Sequence, residues 1–79
     1  MTHLRRLSDL PVGQCATIAA LDGEPGVIQR LLEMGLTPGT EVSVVRLAPL
    51  GDPMEVLVRG YNLSIRKDDA HHLVIGPGS

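Results

Sequence analysis

Aromatic side chains are almost missing from this chain: its 79 residues include one tyrosine, Tyr61, and neither tryptophan nor phenylalanine. Proteins that hold single-stranded nucleic acid stack bases on such rings, so that platform is excluded. An excess of basic charge is missing too. Seven Lys and Arg stand against nine Asp and Glu, leaving a net charge of −2, which offers no field to a phosphate backbone. No nucleic-acid partner is expected. Cysteine occurs once, as Cys15, so no internal disulfide can form. The start of the chain, Met1-Thr2-His3-Leu4-Arg5-Arg6, lacks the apolar run of a secretory signal. No segment approaches the roughly 18 uninterrupted apolar residues needed to span a bilayer. A cytoplasmic chain is expected, meeting a membrane only through a partner. Length sets the last exclusion. Seventy-nine residues make one domain, 1–79, and a domain of that size buries only about 60% of its unfolded surface. Enzyme pockets of roughly 300–1,000 Å³ are hard to enclose in so thin a core. A self-contained enzyme is not expected.

What the chain has is 43% apolar residues, almost all aliphatic, cut into short pieces by nine glycines and six prolines. The run from Pro25 to Met34 alone has the length and pattern of a helix. Pro25 suits a first turn, Val27, Ile28, Leu31 and Met34 form one apolar stripe, and Gly35 with Pro38 stops it. Strands are expected over Ala16 to Leu21, Glu41 to Leu47, Met54 to Arg59, Asn62 to Arg66 and Leu73 to Ile75. In the second of these the alternation breaks at Val44-Val45, which signals a bulge or burial on both faces. Gly60-Tyr61 is expected at the tight turn between the third and fourth strands. Leu4, Leu7 and Leu10 suggest an amphipathic lead-in, and Lys67 to His72 one helical turn. Five strands this short close most readily as a small SH3-like barrel, mainly β, with one short α-helix between the first and second strands.

Candidate chemistry is sparse. His71 and His72 are adjacent, so their rings diverge in a helix or a strand, and with His3 and Cys15 distant no spacing matches a zinc or iron site. They are expected as surface histidines. Cys15 has no basic neighbour to make it a reactive thiolate and is expected as a small buried hydrophobe. Asp68-Asp69 suits a helix start. Gly23-Glu24-Pro25-Gly26 places a carboxylate where a phosphate would lie and has no following lysine. No catalytic residue, cofactor or metal site is therefore expected. Glu33 sits in the last helical turn, against the macrodipole, and a pairing with Arg30, Arg46 or Arg66 is expected to offset it. For Leu47-Ala48-Pro49-Leu50-Gly51-Asp52-Pro53-Met54 two readings stay open. The prolines stiffen a long hairpin with Leu50 tucked back onto the barrel, or a pre-stiffened loop presents Pro49 and Leu50 to a partner.

Four segments together carry a family resemblance: Leu7-Ser8-Asp9-Leu10-Pro11-Val12-Gly13, then 30–40 from Arg30-Leu31-Leu32-Glu33-Met34-Gly35 onward, then Ala48-Pro49-Leu50-Gly51-Asp52-Pro53, then 59–67 around Gly60-Tyr61-Asn62. In order and spacing the chain resembles the ferrous-iron-transport protein A (FeoA) family, from about Leu4 to Ile75. The resemblance implies an SH3-like barrel, related to the C-terminal domain of iron-dependent repressors. It also implies a cytoplasmic accessory role in ferrous iron uptake, with the membrane GTPase FeoB as the partner whose activity is modulated. Under that implication Arg30 and Glu33 on the helix, and Pro49, Leu50 and Asp52 on the loop, are the expected contact residues. Weak self-association stays open. The alternative is a metal-responsive module of an iron-dependent regulator, binding Fe²⁺ or another divalent ion through His71 or His72.

Overall fold

The computed structural model of the chain describes residues 5–77, so Leu4, His3 and the final glycine and serine lie outside the described residues. Six strands and two helices follow in order: β1 (Arg5–Arg6), a 3-10 turn (Leu7–Asp9), β2 (Cys15–Leu21), α1 (Pro25–Glu33), β3 (Glu41–Leu47), β4 (Met54–Val58), β5 (Tyr61–Ile65), α2 (Lys67–Ala70) and β6 (Leu73–Pro77). The strands form one antiparallel sheet in the order β1-β6-β2-β3-β4-β5. The sheet is mainly what the alternation predicts, but it has six strands instead of five and does not close into a complete barrel. The additional strand is β1, whose Arg5 and Arg6 pair with Ile75 and Val74 of β6 before the chain turns at Leu7.

Alternation decides what each strand buries. Val42 and Val44, then Met54, Val56 and Val58, and finally Ile65 all face inward, each at most 2% exposed. Ala16 and Ile18 of β2, Leu73 and Ile75 of β6, and Leu7 and Leu10 of the lead-in complete one cluster, with Leu31 and Leu36 at its helical end. Burying a side chain such as Leu31 stabilises the fold by roughly 1.5–3 kcal/mol. The ladders shift register at Val44/Arg46 in β3 and at Ile18/Ala20 in β2. Val45 at the first shift is 44% exposed, so the Val44-Val45 pair is a bulge and not a doubly buried stretch. Such bulges bend strands, and here they curl the sheet around its aliphatic filling.

Helix α1 begins at Pro25 and ends in a closed cap. Gly35, at φ 93°, donates to Leu32 O (3.0 Å), and Leu36 donates to Leu31 O (3.1 Å), while Leu31 and Leu36 meet in the core. The β4–β5 turn differs from expectation by one residue. Arg59 (φ 50°) and Gly60 (φ 87°) are its two central residues, and Tyr61 already belongs to β5, paired with Val58. Positive φ at both positions matches the twist of a two-residue hairpin. Arg59 is held in it by its guanidinium, which donates to Thr37 Oγ1 (3.1 Å) and to the buried Thr40 Oγ1 (3.0 Å).

Candidate partner-docking site

The segment joining β3 to β4 is built to protrude. Ala48 N–H donates to Pro53 O (3.0 Å) across its base, and Gly51 N–H donates to Ala48 O (2.7 Å) across its tip. Pro49 and Gly51 occupy the turn positions that favour them. Leu50 is therefore carried at the apex of a hydrogen-bonded loop, and it is 96% exposed. The tucked-back reading is corrected: Leu50 touches no core. Its exposure forgoes roughly 1.5–3 kcal/mol of burial, which a partner surface could recover.

Beside the loop lies a groove of about 480 Å³, lined by Arg46, Leu47, Ala48, Pro49, Pro53, Glu55 and Ser64. Arg46 donates to Glu55 Oε1 (2.7 Å) across the β3–β4 ladder, so the groove has an apolar proline wall and a charged cross-strand pair. Sequence reading missed Arg46, Glu55 and Ser64 as groove residues. A signal existed, since a hairpin closing at Leu47 and Met54 sets Arg46 opposite Glu55.

Asp52 faces away from the groove. Its Oδ1 accepts the Lys67 N–H (3.0 Å), capping α2 from a distant part of the chain, because Arg66 at the cap position provides no side-chain hydrogen bond. Arg30, on α1, reaches the same short helix and forms a salt bridge with Asp69. The expected Arg30–Glu33 pairing is thus corrected. Asp69 is only 20% exposed, and the less solvated carboxylate is the better partner. Glu33 instead accepts from Gln29 Nε2 one turn back (3.3 Å), while Arg46 is engaged by Glu55. Of the five expected contact residues, Arg30 and Asp52 converge on α2, Pro49 and Leu50 stand at the loop and groove, and Glu33 is not tied to either.

The other expectations separate cleanly. Cys15 is exposed, against the expectation of burial. Ala16 and Ile18 take the core side of β2, so Cys15 falls on the outer face, opposite Ser43. The rings of His71 and His72 are edge-on, 6.3 Å apart at 67°. His72 Nδ1 lies 3.8 Å from Asp22 Oδ1, while the other Asp22 oxygen accepts from Arg6 Nη1 at 2.5 Å. That arginine bond, ahead of the opposing effect of burial, holds the Asp22 carboxyl below its ordinary value. Among the described residues no group of three or more His, Cys, Asp or Glu side chains gathers closely enough to hold a metal ion. No described helix is long and apolar enough to cross a membrane.

Known proteins place this arrangement. A fusion protein of Porphyromonas gingivalis, named Fe(2+) transport protein A/Fe(2+) transporter FeoB, is 42% identical over 65 residues, 82% of this chain but 8% of its own length. A FeoA-like protein of Clostridium acetobutylicum superposes with a TM-score of 0.89 at 30% identity, covering 98% of this chain and 90% of that one. The FeoA of Stenotrophomonas maltophilia complexed with zinc, described as an SH3 domain protein, gives 0.78 at 28%, covering 91% and 89%. The sheet is SH3-like in that sense. IdeR of T. acidophilum shares the fold alone, at 0.81 and 22% identity, over 99% of this chain and 36% of that one. The model of the FeoA domain family matches residues 5–77, and the chain belongs to this family, which is linked to ferrous iron transport.

Proposed function

We propose that this chain is a single-domain, non-catalytic accessory protein of bacterial ferrous iron uptake that docks on the cytoplasmic part of a FeoB-type membrane GTPase and modulates its activity. The observation that carries this reading is the relative at 42% identity whose name joins the two components in one polypeptide. The reading is cytoplasmic, reaches the membrane through its partner and involves no nucleic acid. Leu50 and Pro49 supply the apolar contact and the adjoining groove accepts a partner side chain, while Arg30 and Asp52, which meet at α2, and Glu33 on α1 are the further contact residues of this reading. A docked protein shifts a transporter between states only by binding one state more tightly, so the coupling is of order 1–3 kcal/mol.

Leu50→Asp tests the loop. Because Leu50 packs on nothing, the thermal midpoint stays close to that of the parent chain, while capture of the transporter's cytoplasmic domain weakens. Undiminished capture removes the loop from the proposal.

A second reading, a metal-responsive module, draws support from the zinc named for the S. maltophilia relative. Titration calorimetry with Zn²⁺ and Fe²⁺ discriminates. Micromolar binding of one ion per chain, abolished by His72→Ala, favours the second reading. Weaker binding favours docking, because Arg6 already occupies the carboxylate nearest His72.

A further inference from the structure

The sheet has two lateral edges, and they are built differently. The described residues of β1 are both arginines, a charge that discourages further pairing. β5 runs for five residues, Tyr61–Ile65, with no charged side chain, no proline and no bulge in its ladder with β4. Three of the devices that blunt an edge strand, charge, proline and a bulge, are thus absent from it; the end of α1 approaches at its first residue, where the Tyr61 hydroxyl donates to Met34 O (2.8 Å).

The turn fixes which backbone groups of β5 face outward. Val58 and Tyr61 close a two-residue hairpin as a hydrogen-bonded pair, so Leu63 and Ile65 likewise direct their N–H and C=O at β4. The N–H and C=O of Asn62 and Ser64 then point away from the sheet. Both residues are exposed, and neither amide enters a turn, loop or cap hydrogen bond among the described residues.

Charge says what fits there. Before β5 stands Arg59, whose guanidinium donates to the Thr37 and Thr40 hydroxyls. After it stands Arg66, exposed and without an ion pair among the described residues. Ser64 also lines the groove beside Pro49, so the open edge runs into that pocket. We propose that the free edge of β5 is a strand-addition site for an extended segment of a partner protein, uncharged at its centre and acidic at its ends. Its backbone bonds to Asn62 and Ser64, a carboxylate meets Arg66, and one small apolar side chain enters the groove. A second copy of this chain fits worse. Antiparallel pairing about Leu63 would set Arg59 of one copy opposite Lys67 of the other at both ends, and like charges so placed repel.

The inference deepens the docking reading by naming the shape and charge of what binds, and its test needs no transporter, so the two can fail separately. The probe is the capped peptide Glu-Val-Thr-Val-Glu, added to the ¹⁵N-labelled whole chain, with Lys-Val-Thr-Val-Lys as its counterpart. The acidic peptide is expected to shift the amide signals of Asn62 and Ser64 and slow their hydrogen exchange; the basic one is not. Ser64→Pro removes an outward N–H without touching the β4 ladder, so the variant stays folded and the shifts are lost. Arg66→Glu reverses the preference toward the basic peptide. Absence of shifts at Asn62 and Ser64 with millimolar acidic peptide, or equal shifts with both peptides, overturns the proposal. So does concentration-dependent protection of these amides without peptide, which would give the edge to a second copy.

Discussion

Arg6 and Asp22 form a corner where two strands and the turn before β6 meet. Besides the carboxylate, Arg6 Nη1 donates to His71 O (3.2 Å), and Asp22 N–H donates to His72 O (3.0 Å). Because the arginine bond lowers the folded-state pKa of Asp22, its contribution to stability is present above the unfolded value of 3.8 and is lost as pH falls through the lower folded value. Asp22 is half exposed, so solvent and salt screen the effect. Thermal midpoints of the parent and Asp22→Asn should therefore differ most near neutrality, converge as the solution is acidified and converge sooner at high salt. Single residues were the hardest things to read in the sequence. The apolar neighbours of Cys15 point to burial, but its exposure depends on which face Ala16 and Ile18 claim. Arg30 has a carboxylate three residues away, yet its partner is Asp69, brought close only by the fold.

Elements were far more legible. The stripe of Val27, Ile28, Leu31 and Met34 between Pro25 and Gly35 located α1 to within one residue, because the proline start and glycine stop are local signals. The β3, β4 and β5 alternation located those strands equally well. The turn between β4 and β5 lies one residue earlier than its sequence suggests because arginine rarely adopts positive φ, and only the Thr37 and Thr40 hydroxyls, far along the chain, show why Arg59 does. α2 is four residues long and has no cap of its own, so its start depends on Asp52. Asp52→Ala should cost about 1 kcal/mol, as lost caps do. In a domain this small that lowers the thermal midpoint by about 4–8 °C, read by calorimetric scanning. Asp52→Asn, which keeps an acceptor, should recover most of it.

For the whole molecule, stability of roughly 0.05–0.15 kcal/mol per residue gives about 4–12 kcal/mol in total. Leu31→Ala, at a position with no exposure, should remove about 2–5 kcal/mol, a large share of that total, and lower the midpoint of a urea titration accordingly. Leu50→Ala, fully solvated, should leave the urea midpoint unchanged. One domain-wide aliphatic filling was legible from composition and alternation together. The open sheet was not: two arginines carry no period, so β1 gave no signal, and closure was inferred from five strands that needed their edges covered. The short helix after β5 is gripped from both sides, by a carboxylate from the projecting loop and a guanidinium from α1. Those two grips act like the ends of a lever on one pivot. The projecting loop and α1, far apart in sequence, are thereby fastened to the same four residues, so Lys67–Ala70 is a joint shared by both.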